Sequence, residues 1–510
     1  MKEIFKLALR NLREHKSKTI IIALFLIFGV AIVILGNSFL ESVNRGLEKD
    51  FSENYTGDIA ISIKPEKGDR IDIFQVSSSN ISGDIPQIPA IPNLDKVQKI
   101  IDEQEGIKSQ TKMISAMVMV AKGLEMDMTE LAERDDLTFD DLPISMLFAG
   151  ENETYHQLFP DVHFVEGRYP KPNTNEVIID TRVQRAFKGM YREDLSVGDT
   201  ILIAGANTKG IIREGVVVGI FDPPEKNSAM FQIIYCNPEL ARSFADLTYA
   251  ASFSKELPSS VDLSISEMDE DDLFGDDFFS DIEESDDSFL SSNSTNFDDI
   301  LGDTTLRDEL NKTDDGSWQF ILTKVNHPSQ IKKIISEINQ KFAAENLNVQ
   351  VLDWKGAAYS YSQTVEGIGF IFNLLIIILA VVVFIIIMNT MVVSVIERTG
   401  EIGTMRAIGA EKKFVQRLFY TESLSLTFVS SIVGIILAFI IMAIFNSLNI
   451  TITNSIAKMI LGGGLLHFSP TPKIIILTIF IALCGSIISN LYPVNSALKI
   501  TPLKALSHGE

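Results

Sequence analysis

The sequence predicts an α-helical membrane protein with four transmembrane helices and a large α+β domain between the first and second. Three observations predict this. The stretches Thr19–Leu40, Gly367–Ile396, Ser423–Ala457 and Ile474–Tyr492 carry no Asp, Glu, Lys, Arg or His. Each can supply the roughly 20 apolar residues with which a helix crosses a bilayer and satisfies its own backbone. Residues 41–366 form a polar region far too long for a loop, with helical and strand periodicities inside it. Basic residues gather next to the apolar runs, at Lys2, Lys6, Arg10, Arg13, Lys16 and Lys18 and again at 398–417, which the positive-inside rule places in the cytoplasm.

Residues 1–18 read either as an interfacial helix on the inner leaflet, with Phe5, Leu9 and Leu12 near one face, or as a plain basic flank. The run 19–40 exceeds the core of a secretory signal and closes on no A-x-A site, so it is predicted to be a retained first transmembrane helix. Ser42–Tyr55 can prolong it as a stalk. Within the extracytoplasmic domain, 41–366, Asp58–Lys64 alternates as a half-buried strand does, and Leu94–Gln104 reads as a helix. Ile114–Val120 returns to strand. Glu176–Ile179 (strand), Thr181–Lys188 (helix), Leu195–Ile203 (turn and strand) and Gly215–Phe221 (strand) follow. After Trp318–Val325 (strand), Ser329–Glu345 (helix) and Val349–Asp353 (strand), Trp354–Glu366 forms a second stalk leading into the helix at 367–396.

Between Glu256 and Leu306 lie seventeen acids and no Lys or Arg, so most of the net charge of −23 belongs to this one segment. Self-repulsion and scarce apolar residues predict a disordered, solvated insertion there. A cation site is the competing reading, but counting back from Gly275 the EF-hand positions hold Glu270 and Phe274. Beyond the connector at 397–422, a third helix at 423–445, an outer loop at 446–473, a fourth helix at 474–492 and a cytoplasmic tail at 493–510 complete the chain.

Several chemistries find no support. The basic residues sit beside membrane helices rather than in a nucleic-acid patch. Cys236 and Cys484 fall in unlike environments, and the six histidines make no H-x-x-x-H or H-E-x-x-H pairing. Gly462-Gly463-Gly464 lacks the Lys-Ser/Thr of a phosphate loop, and G-x-x-x-x-G-K-[ST] occurs nowhere in these 510 residues. No catalytic constellation is visible in the outer domain, whose Asp and Glu side chains read as solvated surface.

The connector at 397–422 sets Arg398, Arg406, Lys412, Lys413 and Arg417 against Glu397, Glu401 and Glu411, and Gly400, Gly403 and Gly409 break it into short pieces. A compact helix with a turn at each end fits this pattern. On topology alone it is an ordinary cytoplasmic loop. Its wording says more. Glu397-Arg398-Thr399, Glu401-Ile402-Gly403 and Met405-Arg406-Ala407-Ile408-Gly409-Ala410 resemble the coupling segment of FtsX-like, MacB-type ABC transporter permeases. Leu7–Leu12 (LALRNL), Val197-Gly198-Asp199, Val217-Val218-Gly219-Ile220, Tyr492-Pro493 and the P-x-x-A-L at 502–506 resemble other signatures of the family. The V-G-D and V-V-G-I pieces match its MacB-like periplasmic core domain. The layout is similar to that of the lipoprotein-releasing permeases LolC and LolE.

The resemblance implies a multi-pass inner-membrane permease with both termini cytoplasmic. It implies no enzyme activity or cofactor of its own, and a separate ABC ATPase subunit that binds ATP and magnesium. A second permease, either another copy or a paralogue, membrane lipid and a lipoprotein substrate are the other partners implied. Glu397, Arg398, Glu401, Met405, Arg406, Ile408 and Gly409 would contact the ATPase, with Arg406 and Glu401 in polar pairs and Met405 and Ile408 as apolar knobs. Function would be mechanotransmission. The candidates are lipoprotein release, export of amphipathic drugs or peptides, and FtsX-like regulation of cell-wall hydrolases.

Overall fold

The computed structural model describes residues 2–14, 16–65, 72–76, 88–123, 141–152, 154–159, 162–206, 211–223, 231–248, 312–450 and 468–499. The acidic stretch 256–306, the triple glycine at 462–464 and the tail beyond 499 lie outside them.

Helix α1 (Lys2–Glu14) leads into α2 (Lys16–Phe51), which ends in a π-helical turn at Ser52–Thr56. The apolar segment and its stalk are thus one continuous rod. Then β1 (Ile59–Ile63), α3 (Leu94–Asp102), β2 (Ile107–Ala121), β3 (Ile144–Gly150), α4 (Tyr155–Leu158), β4 (His163–Gly167) and β5 (Glu176–Asp180) follow. Asp180 starts α5 (Thr181–Tyr191): its Oδ1 accepts from the amides of Arg182 at 2.8 Å and Val183 at 3.0 Å, which satisfies two otherwise orphaned donors. The chain continues through β6 (Thr200–Gly205), β7 (Ile212–Asp222), β8 (Gln232–Cys236), α6 (Pro238–Phe244), β9 (Phe320–Val325), α7 (Ile331–Ala344) and β10 (Val349–Asp353).

These strands make one mixed ten-stranded sheet in the order β10-β1-β9-β2-β3-β8-β5-β7-β4, with β6 pairing β2 and β7. β1 lies between β9 and β10, antiparallel to both. Strands from the two ends of the domain therefore meet, and both stalks leave from the same corner.

Side chains alternate across the strands, and each set has its own cover. Ile59, Ile61, Ile321, Val349 and Val351 pack under α3 and α7, through Val97, Ile101, Ile334, Ile338 and Phe342. Ile114, Val118, Leu147, Val177, Ile179 and Ile234 pack with Val183 and Phe187 of α5 and Leu240 and Phe244 of α6. The alternate residues, among them Ala60, Met146, Phe148, Ile178, Ile233, Tyr235, Phe320 and Leu322, join Val43, Leu47, Phe51 and Tyr55 of the first stalk. Burial on both faces explains a departure from the expected pattern: Ile59, Ala60, Ile61 and Ser62 are all buried, so this strand is central rather than half-exposed.

Past α8 (Trp354–Ala357), the second stalk and second membrane helix form a single α9 (Tyr359–Glu397). Then come α10 (Thr399–Ala407), α11 (Lys412–Ser447) and α12 (Pro472–Lys499). Residues 412–422, expected in the connector, already belong to α11, and α12 runs on through Pro493. Among the described residues, four helices, Thr19–Thr56, Tyr359–Val393, Lys412–Ser447 and Pro472–Asn495, are long and apolar enough to cross a membrane.

Small residues set the packing of this bundle. A Cβ on Gly434 would lie 2.7 Å from the Ile27 carbonyl oxygen, so α11 and α2 approach backbone to backbone. Val30, Ala31 and Ile34 meet Ala438 and Met442 one turn further on, and Ser423 Oγ lies 3.0 Å from Asn490 Oδ1 of α12. By contrast, almost none of the apolar middle of α9 is buried.

Candidate functional site

The connector between α9 and α11 is a nine-residue helix with a defined stop. Gly409 takes φ +106°, a conformation that L side chains rarely adopt. The Ala410 amide donates to the Met405 carbonyl at 3.0 Å and the Gly409 amide to the Arg406 carbonyl at 3.2 Å. This 6→1 and 5→2 pair is the Schellman cap. It accounts for the spacing of Ile408-Gly409-Ala410, and it leaves Ile408 at the tip, 83% exposed.

The segment is anchored from beneath. Ile402 packs with Val415 and Phe419 of α11 and Val494 of α12. Arg398, at the junction of α9 and α10, is 4% exposed. Its Nη1 reaches both carboxylate oxygens of Glu422 at 3.1 and 3.0 Å, and its Nε lies 3.7 Å from Glu401. With the Asn11 amide in the orientation that satisfies both of its ends, Asn11 Oδ1 accepts from Arg398 Nη2 at 2.8 Å. A buried guanidinium needs such partners, because an unpaired ion in that position is costly.

The seven residues singled out from the sequence therefore divide. Glu397, Glu401, Ile408 and Gly409 are exposed, and Met405 and Arg406 are half-buried on the same short element. Arg398 does not share that surface. It points inward, so it fixes the segment and is not available to meet a partner. Glu401 faces it across 3.7 Å. Glu422, the last residue of the connector read from the sequence, is the buried counter-ion; a lone acid just ahead of a long apolar run was its only signal. Asn11 and Ile402 fall inside the LALRNL and Glu401-Ile402-Gly403 signatures, but nothing in the sequence assigned them these contacts, which exist only once three helices converge. Beside the tip, Ala410, Glu411, Lys413, Phe414 and Arg417 line a shallow basin. Asn11 also ties α1 to this end of the molecule. Ala8 and Asn11 are buried while Lys6, Arg10 and Arg13 stay exposed, so α1 has a docked face as well as a charged one.

At the other end of the bundle, the stalks enter the sheet domain through packed aromatics. Phe51 of α2 lies 4.8 Å from Tyr361 of α9 and 6.2 Å from Trp354 of α8, stacked on the latter. Tyr55 reaches Phe148 of β3 at 6.4 Å. The domain's acids are not all solvated as expected. Asp50, Asp72 and Asp180 are buried, each at a junction. Asp180 pairs with Arg182 at 2.6 Å and accepts from the Ile233 amide at 2.9 Å.

Residues 19–266 match the model of the MacB-like periplasmic core domain, and residues 373–502 match that of the FtsX-like permease C-terminal domain. The chain belongs to the FtsX/MacB-type ABC transporter permeases. This permease is 26% identical over 198 residues to the lipoprotein-releasing system transmembrane protein LolE of Haemophilus influenzae, covering 35% of this chain and 47% of that protein. It is 32% identical over 142 residues to the ABC transporter permease YtrF of Bacillus subtilis, covering 28% and 31% respectively. It is 26% identical over 208 residues to the macrolide export ATP-binding/permease protein MacB of Acinetobacter baylyi, covering 37% and 29%. The permease thus spans less than half the length of each of these relatives. A structural comparison aligns it with the extracellular domain of the transporter YknZ, at 9% identity and a TM-score of 0.26, over 58% of this chain and 99% of that one.

The matched regions fall on separate parts of the permease: the first model takes α2 and much of the sheet domain, the second the last three membrane helices and α10. Among the described residues no group of three or more His, Cys, Asp or Glu could hold a metal ion, and Cys236 and Cys484 are free.

Proposed function

We propose that this chain is the membrane subunit of an ABC transporter that works by mechanotransmission and releases lipoproteins from the outer leaflet of the inner membrane. One observation carries the mechanical part. An exposed, capped helix is fastened to the bundle by the buried Arg398–Glu422 pair, while the same bundle runs as unbroken rods into the core of the sheet domain. A push on α10 cannot be absorbed locally, because its anchor belongs to α11 and α1. A partner ATPase, binding ATP and magnesium, would bias two arrangements of the rods. Glu397, Glu401, Met405, Arg406, Ile408 and Gly409 would form the contact.

Orientation follows from charge. Asn11 brings the basic N-terminal helix to the same end as the basic connector, so both lie on the cytoplasmic side and the sheet domain lies outside. The uncovered apolar face of α9, which includes Phe370, Ile371 and Leu374, would be taken by lipid and by a second permease, either a copy or a paralogue. A cavity of about 460 Å³ lined by Val30, Val33, Ile377, Ala380, Leu477 and Ile481 also favours a second reading, export of amphipathic drugs or peptides, in keeping with the names of the macrolide-exporting relatives.

The test is Arg406→Glu in the reconstituted complex. ATP hydrolysis should continue while release of an acylated protein from proteoliposomes stops. Unaltered release would remove Arg406 from the contact. Transport of a macrolide with no release of acylated protein by the wild type would favour the second reading.

A further inference from the structure

Residues 72–76 touch more elements than any sequence signal suggested. Asp72, Ile73, Phe74 and Gln75 are buried, and between them they reach both stalks and the sheet. The Asp72 Oδ1 accepts from the amides of Phe74 at 3.0 Å and Val76 at 3.1 Å, closing a tight turn. Its Oδ2 accepts from the Ser360 amide at 3.0 Å and from the Ser360 hydroxyl, both in the first turn of α9. The Ile73 amide donates to the Ala357 carbonyl at 3.0 Å. Gln75, with φ +57°, donates from Nε2 to the carbonyl of Ser115 at 2.9 Å and to its hydroxyl at 3.1 Å, both on β2.

Phe74 occupies the centre. Its ring lies 5.7 Å from Phe51 and 5.9 Å from Tyr55 of the first stalk, 5.0 Å from Tyr361 of the second, and 5.8 Å from Phe148 of the sheet. One short turn is therefore bonded to the second stalk through Asp72 and Ile73, to the sheet through Gln75, and wedged between both stalks by Phe74. Surface loops do not spend buried hydrogen bonds this way.

We propose that the turn at 72–76 is a latch that locks the two stalks to the sheet, with Asp72 as the positioning residue through which movement of α9 is carried into the domain. This rests on the mechanotransmission reading above. The bonds from Asp72 and Ile73 add directional ties to the apolar packing between the second stalk and the sheet, and apolar packing by itself can slide. With the latch, the sheet must follow the stalk.

Two measurements on the full chain test this. The first is hydrogen exchange of the purified chain in lipid nanodiscs. Asp72→Ala should speed exchange at 359–366 by roughly tenfold to a hundredfold, as loss of charge-assisted hydrogen bonds implies, while amides of β2 keep their wild-type protection. Ser360→Ala, which removes only the hydroxyl donor, should give a smaller change at the same residues. Equal acceleration throughout β2, or no change at 359–366, would overturn the latch. The second is the complex with its ATPase. Asp72→Ala should hydrolyse ATP at the wild-type rate and lose at least tenfold in substrate release. Release at the wild-type rate from a variant whose stalk has loosened would overturn the transmission role. If the wild type shows no ATP-driven release at all, the transport reading fails, and the exchange data still decide whether the latch exists.

Discussion

Replacing Arg398 with Met keeps most of the side chain's aliphatic volume and removes its charge. Glu422 is then left buried, losing contacts of 3.1 and 3.0 Å to Nη1, and Asn11 loses its 2.8 Å donor. Removing one partner of a buried ion pair costs about 3–5 kcal/mol, because the other charge stays behind uncompensated. That loss is local. It loosens the junction of α9, α10 and α11 and leaves the sheet domain untouched. Opening of α10 should become roughly a hundredfold to a few thousandfold more frequent. Hydrogen exchange reads this at the Ile402 amide, bonded to the Arg398 carbonyl at 3.0 Å, and at the Ala410 amide of the cap. The double variant Arg398→Met, Glu422→Leu removes both charges and should recover most of the protection, since an apolar pair of similar volume often replaces an ion pair at little cost. Protection within threefold of wild type in the single variant would refute the anchor. So would a double variant no better protected than the single one.

Three other outcomes follow from the geometry. Gly409→Ala forces a Cβ into φ +106°, where strain and not crowding is the penalty, since no atom lies within 4 Å; a loss of about 1–2 kcal/mol in the local stability of α10 is expected by exchange. Gly434→Val meets the Ile27 carbonyl and the Val30 side chain at 2.7 and 3.0 Å, so α2 and α11 must separate, and disulfide crosslinking between cysteines introduced on these helices should fall sharply. Burial raises Asp72 to about 6. Between the unfolded value near 4 and this one, the folded chain holds a proton that the unfolded chain has lost, so stability declines as pH rises through that window. Thermal melts of wild type against Asp72→Asn should show on the order of 3 kcal/mol of this decline, present in the wild type alone.

The membrane helices were legible because each is a long uncharged run whose composition alone decides its state. The stalks were legible because helical periodicity continues past the apolar boundary at Leu40 and before Gly367. Strands such as Glu176–Asp180 and Val349–Asp353 declared themselves by short β-branched runs. Others did not: β4 is an edge strand, largely exposed, and β8 (QIIYC) is short with no flanking alternation. The difficulty at the α10 end was different in kind. The exposed surface of α10 was readable because glycines and charges there are local signals. The buried ion pair was not, since Arg398 and Glu422 look like any two charges of a basic connector until the helices bring them together. The turn at 72–76 carries no periodicity, and its meaning comes entirely from the five elements it touches, α2, β2, β3, α8 and α9.

Ile408 and its neighbours on α10 are proposed to meet a nucleotide-binding partner. A photo-crosslinking residue at position 408, irradiated in intact membranes and followed by mass spectrometry of the adduct, tests it directly. One dominant adduct is expected, to a protein carrying a G-x-x-x-x-G-K-[ST] loop, and it should be lost when Gly409→Ala distorts the tip. Adducts to lipid alone, or to proteins without such a loop, would contradict it.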